Sequence, residues 1–135
     1  NGDLANGLGN FTARVLALAA KETFDGTEAV AEEAKAKISE VKALVASRVQ
    51  EFKLHEALAA IWELIAFGDG YVNEKQAWKQ TDRNVTFSLV TILDNVATLI
   101  QPFLPSTSEK IAGHIFRSGG VLSATKAELL FPRIS

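Results

Sequence analysis

Three polar side chains near the start of the chain have the types and spacing that could recognise a nucleobase. Asn6, Asn10 and Arg14 are four residues apart in the sequence, so on a helix they form one polar ridge. Amide and guanidinium groups are the side chains that read base edges by paired hydrogen bonds. The simpler alternatives are a solvated stripe, or an Asn10 that satisfies the end of a neighbouring helix.

A tryptophan in a polar segment is the second candidate. Trp78 lies where no apolar helical pattern requires it, so its indole could be a stacking platform for an unpaired base. The alternative is that it half-buries against the domain, as loop tryptophans usually do. The nearby charges balance to 3 − 2 = +1, counting Lys75, Lys79 and Arg83 against Glu74 and Asp82. These three basic residues and Asn6 are the candidates for contacts with an RNA backbone.

The composition does not support other classes of site. The chain has no Cys, and its only histidines are His55 and His114, which excludes a thiolate site and a histidine metal cluster. No nucleophile with a base, pair of poised carboxylates or phosphate-binding glycine loop is visible. We therefore predict no catalytic residue and no metal. The formal charge of −2 means that any RNA binding must be local and selective, because non-specific binders carry a basic excess.

The length and the ends of the chain set the expected context. Its 135 residues, with 47% hydrophobic and 22% charged residues, fit one compact domain, residues 1–135. No apolar run approaches the roughly 18 residues that span a bilayer, and no leader pattern opens the chain, so a cytoplasmic location is expected. A first residue Asn1 and the absence of Met favour a piece of a longer protein.

The elements that must position the candidate residues are helical. Apolar residues at helical spacing predict helices over 3–22, 28–49, 52–72 and 82–102, the second capped from Asp25-Gly26-Thr27. Ser106-Thr107-Ser108-Glu109 is a capping box that predicts a fifth, short helix, ended by Gly119-Gly120. The fold class is therefore all-α, an antiparallel bundle of about five helices with an extended tail over 121–135. We expect the apolar tail residues Leu130, Phe131 and Ile134 to pack on the bundle or on a preceding catalytic domain.

The apolar patterns also name the residues that should face the core. In the first and second predicted helices these are Leu4, Leu8, Phe11, Val15, Leu18, Val30, Ala34, Val41, Leu44 and Val45. In the third and fourth they are Leu54, Leu58, Ile61, Trp62, Ile65, Val85, Leu89, Ile92, Leu93, Val96 and Ile100.

Four segments resemble, in family order, the anticodon-binding domain of methionyl-tRNA synthetases. They are DLANGLGNFTARVL at residues 3–16, YVNE at 71–74 followed by Ala77-Trp78-Lys79, LIQPFLP at 99–105 continuing to 109–111, and LFPRI at 130–134. The proline-bracketed third segment is shared loosely with other class I synthetases for aliphatic amino acids. The first segment combined with Trp78 is the methionyl signature.

The resemblance implies recognition of the CAU anticodon of methionine and initiator tRNAs. Asn10 and Arg14 would engage the first anticodon base, a cytosine, and Trp78 would stack on bases of the splayed loop, whose edges and faces are open to a protein. It also implies an ATP-dependent ligase whose catalytic domain, with its ATP-binding and zinc-binding elements, precedes this chain. No cofactor is expected in the chain itself. Two departures are Ala77, where the family usually has Pro, and Asp69, where many members have Asn.

Two other hypotheses fit part of the sequence. The equivalent domain of an isoleucyl-, leucyl- or valyl-tRNA synthetase would account for the bundle and the prolines, but not for Asn10, Arg14 and Trp78 together. A helical protein-interaction module would use Trp78 as a docking anchor.

Overall fold

The computed structural model describes residues 2–19, 28–75, 83–112, 115–118 and 121–124. They form five helices followed by a two-stranded hairpin. The elements in chain order are α1 Gly2–Ala19, α2 Glu32–Gln50, α3 Leu54–Lys75, α4 Arg83–Ile100, α5 Pro105–Ala112, β1 Ile115–Ser118 and β2 Val121–Ala124. The predicted all-α bundle is confirmed, and the hairpin is an addition that the sequence analysis did not predict.

α1 runs parallel to α3, and α2 runs antiparallel to α3, because the start of α2 contacts the end of α3 and the end of α2 contacts its start. Trp62 of α3 lies against Gly7 of α1, and Phe11 lies against Gly68 further along both helices. The start of α2 is fastened to the start of α4, because Asn84 accepts a hydrogen bond from the backbone of Ala29 at 3.0 Å. The carboxyl ends of α1 and α3 therefore share one end of the bundle with the amino ends of α2 and α4.

The core follows the predicted apolar stripes. The following predicted residues are buried: Leu8, Phe11, Val15, Ala34, Val41, Val45, Ile61, Ile65, Val85, Leu89, Ile92, Leu93, Val96 and Ile100. Leu18, Val30, Leu44 and Leu58 are partly buried against them. Two predictions are wrong: Leu54 is 51% exposed and Trp62 is 38% exposed. Leu54 is the first residue of α3, and the Trp62 ring lies over the α1 backbone at Gly7 instead of entering the core.

The second helix begins four residues later than predicted. Residues 28–31 are not helical, and Ala31, which precedes α2, makes no side-chain capping bond. The Ala31 N–H instead donates to Ser88 Oγ of α4 at 2.9 Å, and that hydroxyl donates to the carbonyl of Asn84 at 2.7 Å. Side chains of α4 accept the hydrogen bonds of the Ala29 and Ala31 N–H groups, so this segment does not need helical hydrogen bonds. Asp25-Gly26-Thr27, the predicted cap, lies outside the described residues.

The third helix begins at Leu54 and ends at Lys75, three residues beyond its predicted end, and it contains Gly68 and Gly70 as predicted. Each glycine disfavours a helix by about 1 kcal/mol relative to alanine. Gly68 is buried beneath the Phe11 ring, so packing between α1 and α3 offsets part of that cost. Asn73 and Glu74, which follow the predicted helix, therefore lie in the last turn of α3.

The corner between α2 and α3 is a Schellman motif with an unusual residue in it. Lys53 N donates to the carbonyl of Arg48 at 2.7 Å and Phe52 N donates to that of Val49 at 3.0 Å, the two bonds that define the motif. Phe52 occupies the left-handed position, with φ of 61°, and is 88% exposed. This position ordinarily favours glycine.

The fifth helix starts and ends earlier than predicted. Pro105 is its first residue, a position where a missing N–H costs nothing. The predicted capping box is wrong, because its capping residue Ser106 already lies inside the helix. The Ser108 hydroxyl instead donates to the carbonyl of Ala97 in α4 at 2.6 Å. The helix ends at Ala112, and Ile115 to Ser118 pair antiparallel with Val121 to Ala124. The intervening Gly119-Gly120 is a two-residue hairpin signal that we interpreted as a helix end. The tail residues Leu130, Phe131 and Ile134 lie outside the described part of the chain.

Candidate functional site

Arg14 is held between two acceptors on the last turns of α3. Its Nη1 donates to Asp69 Oδ1 at 3.1 Å and its Nη2 donates to Asn73 Oδ1 at 2.9 Å. Asp69 and Asn73 are four residues apart, so they lie on one face of α3. We call Arg14, Asp69 and Asn73 the Arg14 clamp. It joins α1 to α3 across 55 and 59 positions of sequence.

The clamp is open to solvent on one side. The side chains of Arg14 and Asp69 are 39% and 33% exposed, and Asn10, one helical turn before Arg14, is exposed. A guanidinium has five N–H donors, and the two bonds of the clamp use two of them. The polar ridge predicted on α1 is therefore a surface feature whose arginine is already oriented by α3.

Partial burial raises the pKa of Asp69 above its usual value of 3.8, and the charge and hydrogen bond of Arg14 lower it by less. The environment thus disfavours the charged carboxylate even though an arginine is in contact with it. Such a pair is a weak source of stability, since loss of solvation offsets the attraction between the charges.

Packing of small residues explains why α1 comes close enough for the clamp to form. The Phe11 ring occupies the space that a side chain at position 68 would need, and the Trp62 ring does the same at position 7. Leu8, Phe11 and Val15 are fully buried on the side of α1 that faces the core, which places Arg14 at the border of the helix contact. Gly68 immediately precedes Asp69 in the sequence, so the close approach and the clamp occur at the same level of the bundle.

Lys75, a predicted backbone contact, lies on a different side of α3. Its Nζ is 3.9 Å from a carboxylate oxygen of Glu33 in α2 and 5.8 Å from the centre of the Tyr71 ring. Two residues of helix separate Lys75 from Asn73, a rotation of about 200°. The structure therefore does not bring Lys75 together with the Arg14 clamp, and Glu33 compensates its charge.

The remaining candidates are described only in part. Trp78 and Lys79 lie outside the described residues, as does the departure Ala77. Asn6 and Arg83 are described as helical positions only: Asn6 is one turn before Asn10 in α1, and Arg83 is the first residue of α4. Their roles stay predictions.

Asp69 and Asn73 were not predicted as site residues. Asp69 was predicted only as a departure from the family pattern, and Asn73 only as part of the YVNE segment. Their spacing of four residues indicates one helix face only if the helix continues past residue 72, its predicted end. The sequence does not show which basic residue an acidic residue on that face contacts.

The described part of the chain contains no group of metal-binding side chains and no membrane-spanning helix. Within residues 2–19, 28–75, 83–112 and the hairpin strands, no three His, Cys, Asp or Glu side chains are grouped to hold a metal ion. None of the helices described here is long and apolar enough to cross a bilayer.

Comparison with known proteins decides the family. A family model described as the anticodon-binding domain of tRNA ligase matches residues 32–129. The chain belongs to this family. The match begins at the first residue of α2, so α1 precedes it.

The individual relatives are methionine–tRNA ligases. The chain is 30% identical to that of Haloarcula marismortui, over 93% of this chain and 18% of the relative. It is 32% identical to that of Clostridium acetobutylicum, over 99% of this chain and 25% of the relative. With that of Rhizobium meliloti the identity is 31%, over 98% of this chain and 31% of the relative. The resemblance to methionyl-tRNA synthetases is confirmed, and the chain spans a third or less of the length of these proteins.

Proposed function

We propose that this chain recognises the CAU anticodon of methionine and initiator tRNAs as a domain of a methionine–tRNA ligase. The observation that carries the proposal is the Arg14 clamp: an oriented, partly exposed guanidinium beside the exposed Asn10. The proposed substrate follows from the names of the relatives, which are methionine–tRNA ligases. The N–H donors that the clamp leaves unused could bond to one base of the anticodon.

The first anticodon base is the one that an oriented guanidinium could discriminate. Cytosine presents two adjacent acceptors, N3 and O2, on its Watson–Crick edge, and two parallel N–H groups of an arginine can donate to both. Uracil carries a proton on N3, so the same guanidinium would face a donor at that position. An unpaired base in a splayed loop exposes this edge, and a good bidentate contact discriminates by about 1–3 kcal/mol.

The proposal assigns supporting roles to the other predicted residues. Asn10 would make a further polar contact to the same base, and Trp78 would stack on bases of the loop. Asn6, Lys79 and Arg83 would contact the RNA backbone, and Lys75 would do so only if it separates from Glu33. The catalytic domain of the ligase, with its ATP-binding and zinc-binding elements, would be supplied outside this chain, and the location would be cytoplasmic.

The decisive test is binding of anticodon stem-loops that differ only at the first anticodon base, CAU against UAU. The chain is expected to prefer CAU, and Arg14→Ala is expected to weaken CAU binding more than UAU binding. Equal losses for the two loops would reassign Arg14 to phosphate contact or to structure. No binding of either loop by the unsubstituted chain would favour the protein-interaction hypothesis.

Arg48→Ala is the matched control for loss of an ion-paired arginine. Arg48 contacts Glu51 at 2.9 Å and Glu56 at 3.6 Å, near the start of α3. Glu56 and Asp69 are 13 residues apart on that helix, roughly 20 Å along its axis. Arg48→Ala should therefore leave the preference for CAU unchanged.

Trp78 is tested by one substitution and two measurements. If Trp78 stacks on RNA bases, Trp78→Ala should weaken binding by about 1–3 kcal/mol with the fold intact. If it is a core anchor, the same change should destabilise the domain by about 3–5 kcal/mol, which a thermal melt detects.

A further inference from the structure

The Arg14 clamp differs from the other ion pairs of the described residues in what it fixes. Four of those pairs join residues three apart on one chain segment, as Lys37 and Glu40 do. The other two join α2 to α3 at 3.6 and 3.9 Å, beyond hydrogen-bond distance. Arg14 instead donates hydrogen bonds to two acceptors on a different helix, one from each Nη atom. Two bonds at separate atoms fix the plane of a guanidinium, whereas one bond leaves it free to rotate.

We propose that Asp69 is a positioning residue, which with Asn73 sets the plane in which Arg14 presents its remaining N–H groups to an unpaired RNA base. The inference rests on the proposed function, and it assigns selectivity to a residue that is not itself required to touch RNA. An arginine already ordered in the free domain loses less conformational freedom on binding, and its geometry matches one arrangement of acceptors better than another.

Stability does not explain the clamp. Exposed ion pairs contribute little to folding, and the surroundings of Asp69 raise its pKa instead of lowering it. The surroundings of Asp69 therefore disfavour its charged form, although the fold holds its carboxyl beside Arg14. Orientation of the guanidinium is a role that accounts for both acceptors.

The negative charge of Asp69 has a second effect on the same arginine. A lone guanidinium attracts every RNA phosphate, whatever the base sequence. A carboxylate oxygen 3.1 Å from Nη1 compensates that charge while leaving the unused N–H groups as donors. The pair is therefore suited to hydrogen bonds with a base edge, and the chain, with formal charge −2, has no basic excess to favour phosphates.

Two substitutions of Asp69 separate orientation from charge. Asp69→Asn keeps an oxygen that can accept from Nη1 but removes the charge, and Asp69→Ala removes both. A bidentate contact corresponds to roughly a 5- to 150-fold preference for the matching base. We expect Asp69→Ala to lose most of the CAU-over-UAU preference of the unsubstituted chain and Asp69→Asn to retain it. Both should bind with a steeper salt dependence, by up to about 0.7 in the log–log slope for one uncompensated charge.

Glu74→Gln is the matched control, because Glu74 is an exposed acidic residue of the same helix turn and is not part of the clamp. It changes the local charge as Asp69→Asn does, and it should leave the CAU preference intact. A loss of preference equal to that of Asp69→Ala would show that charge near the site, and not orientation of Arg14, sets selectivity, and would overturn the proposal.

A measurement without RNA separates failure of this inference from failure of the proposed function. The rotation of the Arg14 guanidinium about its Nε–Cζ bond, followed by NMR in the free chain, should be slow in the unsubstituted chain and fast in Asp69→Ala. Equal rates in the two would overturn the positioning role, whatever RNA binds. A full CAU preference in Asp69→Ala would also overturn the positioning role, because selectivity would then not depend on Asp69. That result would leave the proposed function intact. Absence of any CAU preference in the unsubstituted chain would instead refute the proposed function.

Discussion

Three glycines, two of them on the α1–α3 contact and one on the exposed side of α3, give a graded test of how closely these helices must approach. A Cβ added at Gly68 would stand 2.5 Å from Phe11 Cε1 and closer still to Cζ, whereas a Cβ at Gly70 would meet nothing within 4 Å. Carbon atoms in contact are ordinarily about 3.5–4.0 Å apart. The Phe11 ring would have to move by about 1 Å, and because Phe11 is fully buried it has no open space to enter.

The expected effects of alanine at these positions differ in sign. Alanine in place of glycine favours a helix by about 1 kcal/mol, so Gly70→Ala should stabilise the chain by about that amount. At Gly68 the same gain is opposed by an overpacking cost of about 1–3 kcal/mol, for a net loss of roughly 0–2 kcal/mol. Gly7→Ala should fall between them, because the Trp62 ring that it meets is 38% exposed and can tilt towards solvent.

Thermal melts of the three variants check this order, with a shift of roughly 4 °C expected for each kcal/mol in a domain of this size. Gly68→Ala should also reduce RNA selectivity, since it moves α1 away from the acceptors of Arg14. The double substitution Phe11→Leu with Gly68→Ala should recover part of the stability by removing the ring atoms that clash. If Gly68→Ala and Gly70→Ala raise the melting temperature equally, α1 does not pack on α3 as described.

Three further substitutions test other parts of the fold. Phe52→Gly should stabilise the chain by about 1–2 kcal/mol, because it relieves the left-handed conformation of an exposed side chain, and Phe52→Ala should give no comparable gain in chemical denaturation. Ser88→Ala should destabilise it by about 1–3 kcal/mol, since the N–H of Ala31 loses its acceptor; an unchanged melting temperature would mean that water replaces the hydroxyl. The free energy of unfolding of Asp69→Asn should rise relative to that of the unsubstituted chain as pH increases above 3.8, since the pKa of Asp69 is raised from that value in the folded state. The folded state then loses stability as the carboxyl ionises, and melts that show a pH-independent difference would contradict the raised pKa.

The sequence predicted the helices through their apolar spacing, and it failed where contacts between distant segments decide the local structure. The α2 start depends on hydroxyl and amide groups of α4, which no pattern within residues 25–32 indicates. The close packing of α3 at Gly68 depends on a phenylalanine 57 positions earlier in the chain. Arg14 and Asn10 were predicted from their types and spacing on one helix. Their acceptors on α3 were not, because pairing across the bundle is a property of packing.

Because α1 packs closely against α3 at Gly68, recognition cannot be transferred between related domains by moving α1 by itself. The helix that carries Asn10 and Arg14 shares one core with the later helices, since Phe11 and Val15 are fully buried in it. Grafting α1 alone onto another scaffold of this family would not transplant its selectivity. A larger residue at the position of Gly68 would hold the graft too far out for Arg14 to reach acceptors at 69 and 73. Such a design must carry the glycine and both acceptors together with the helix.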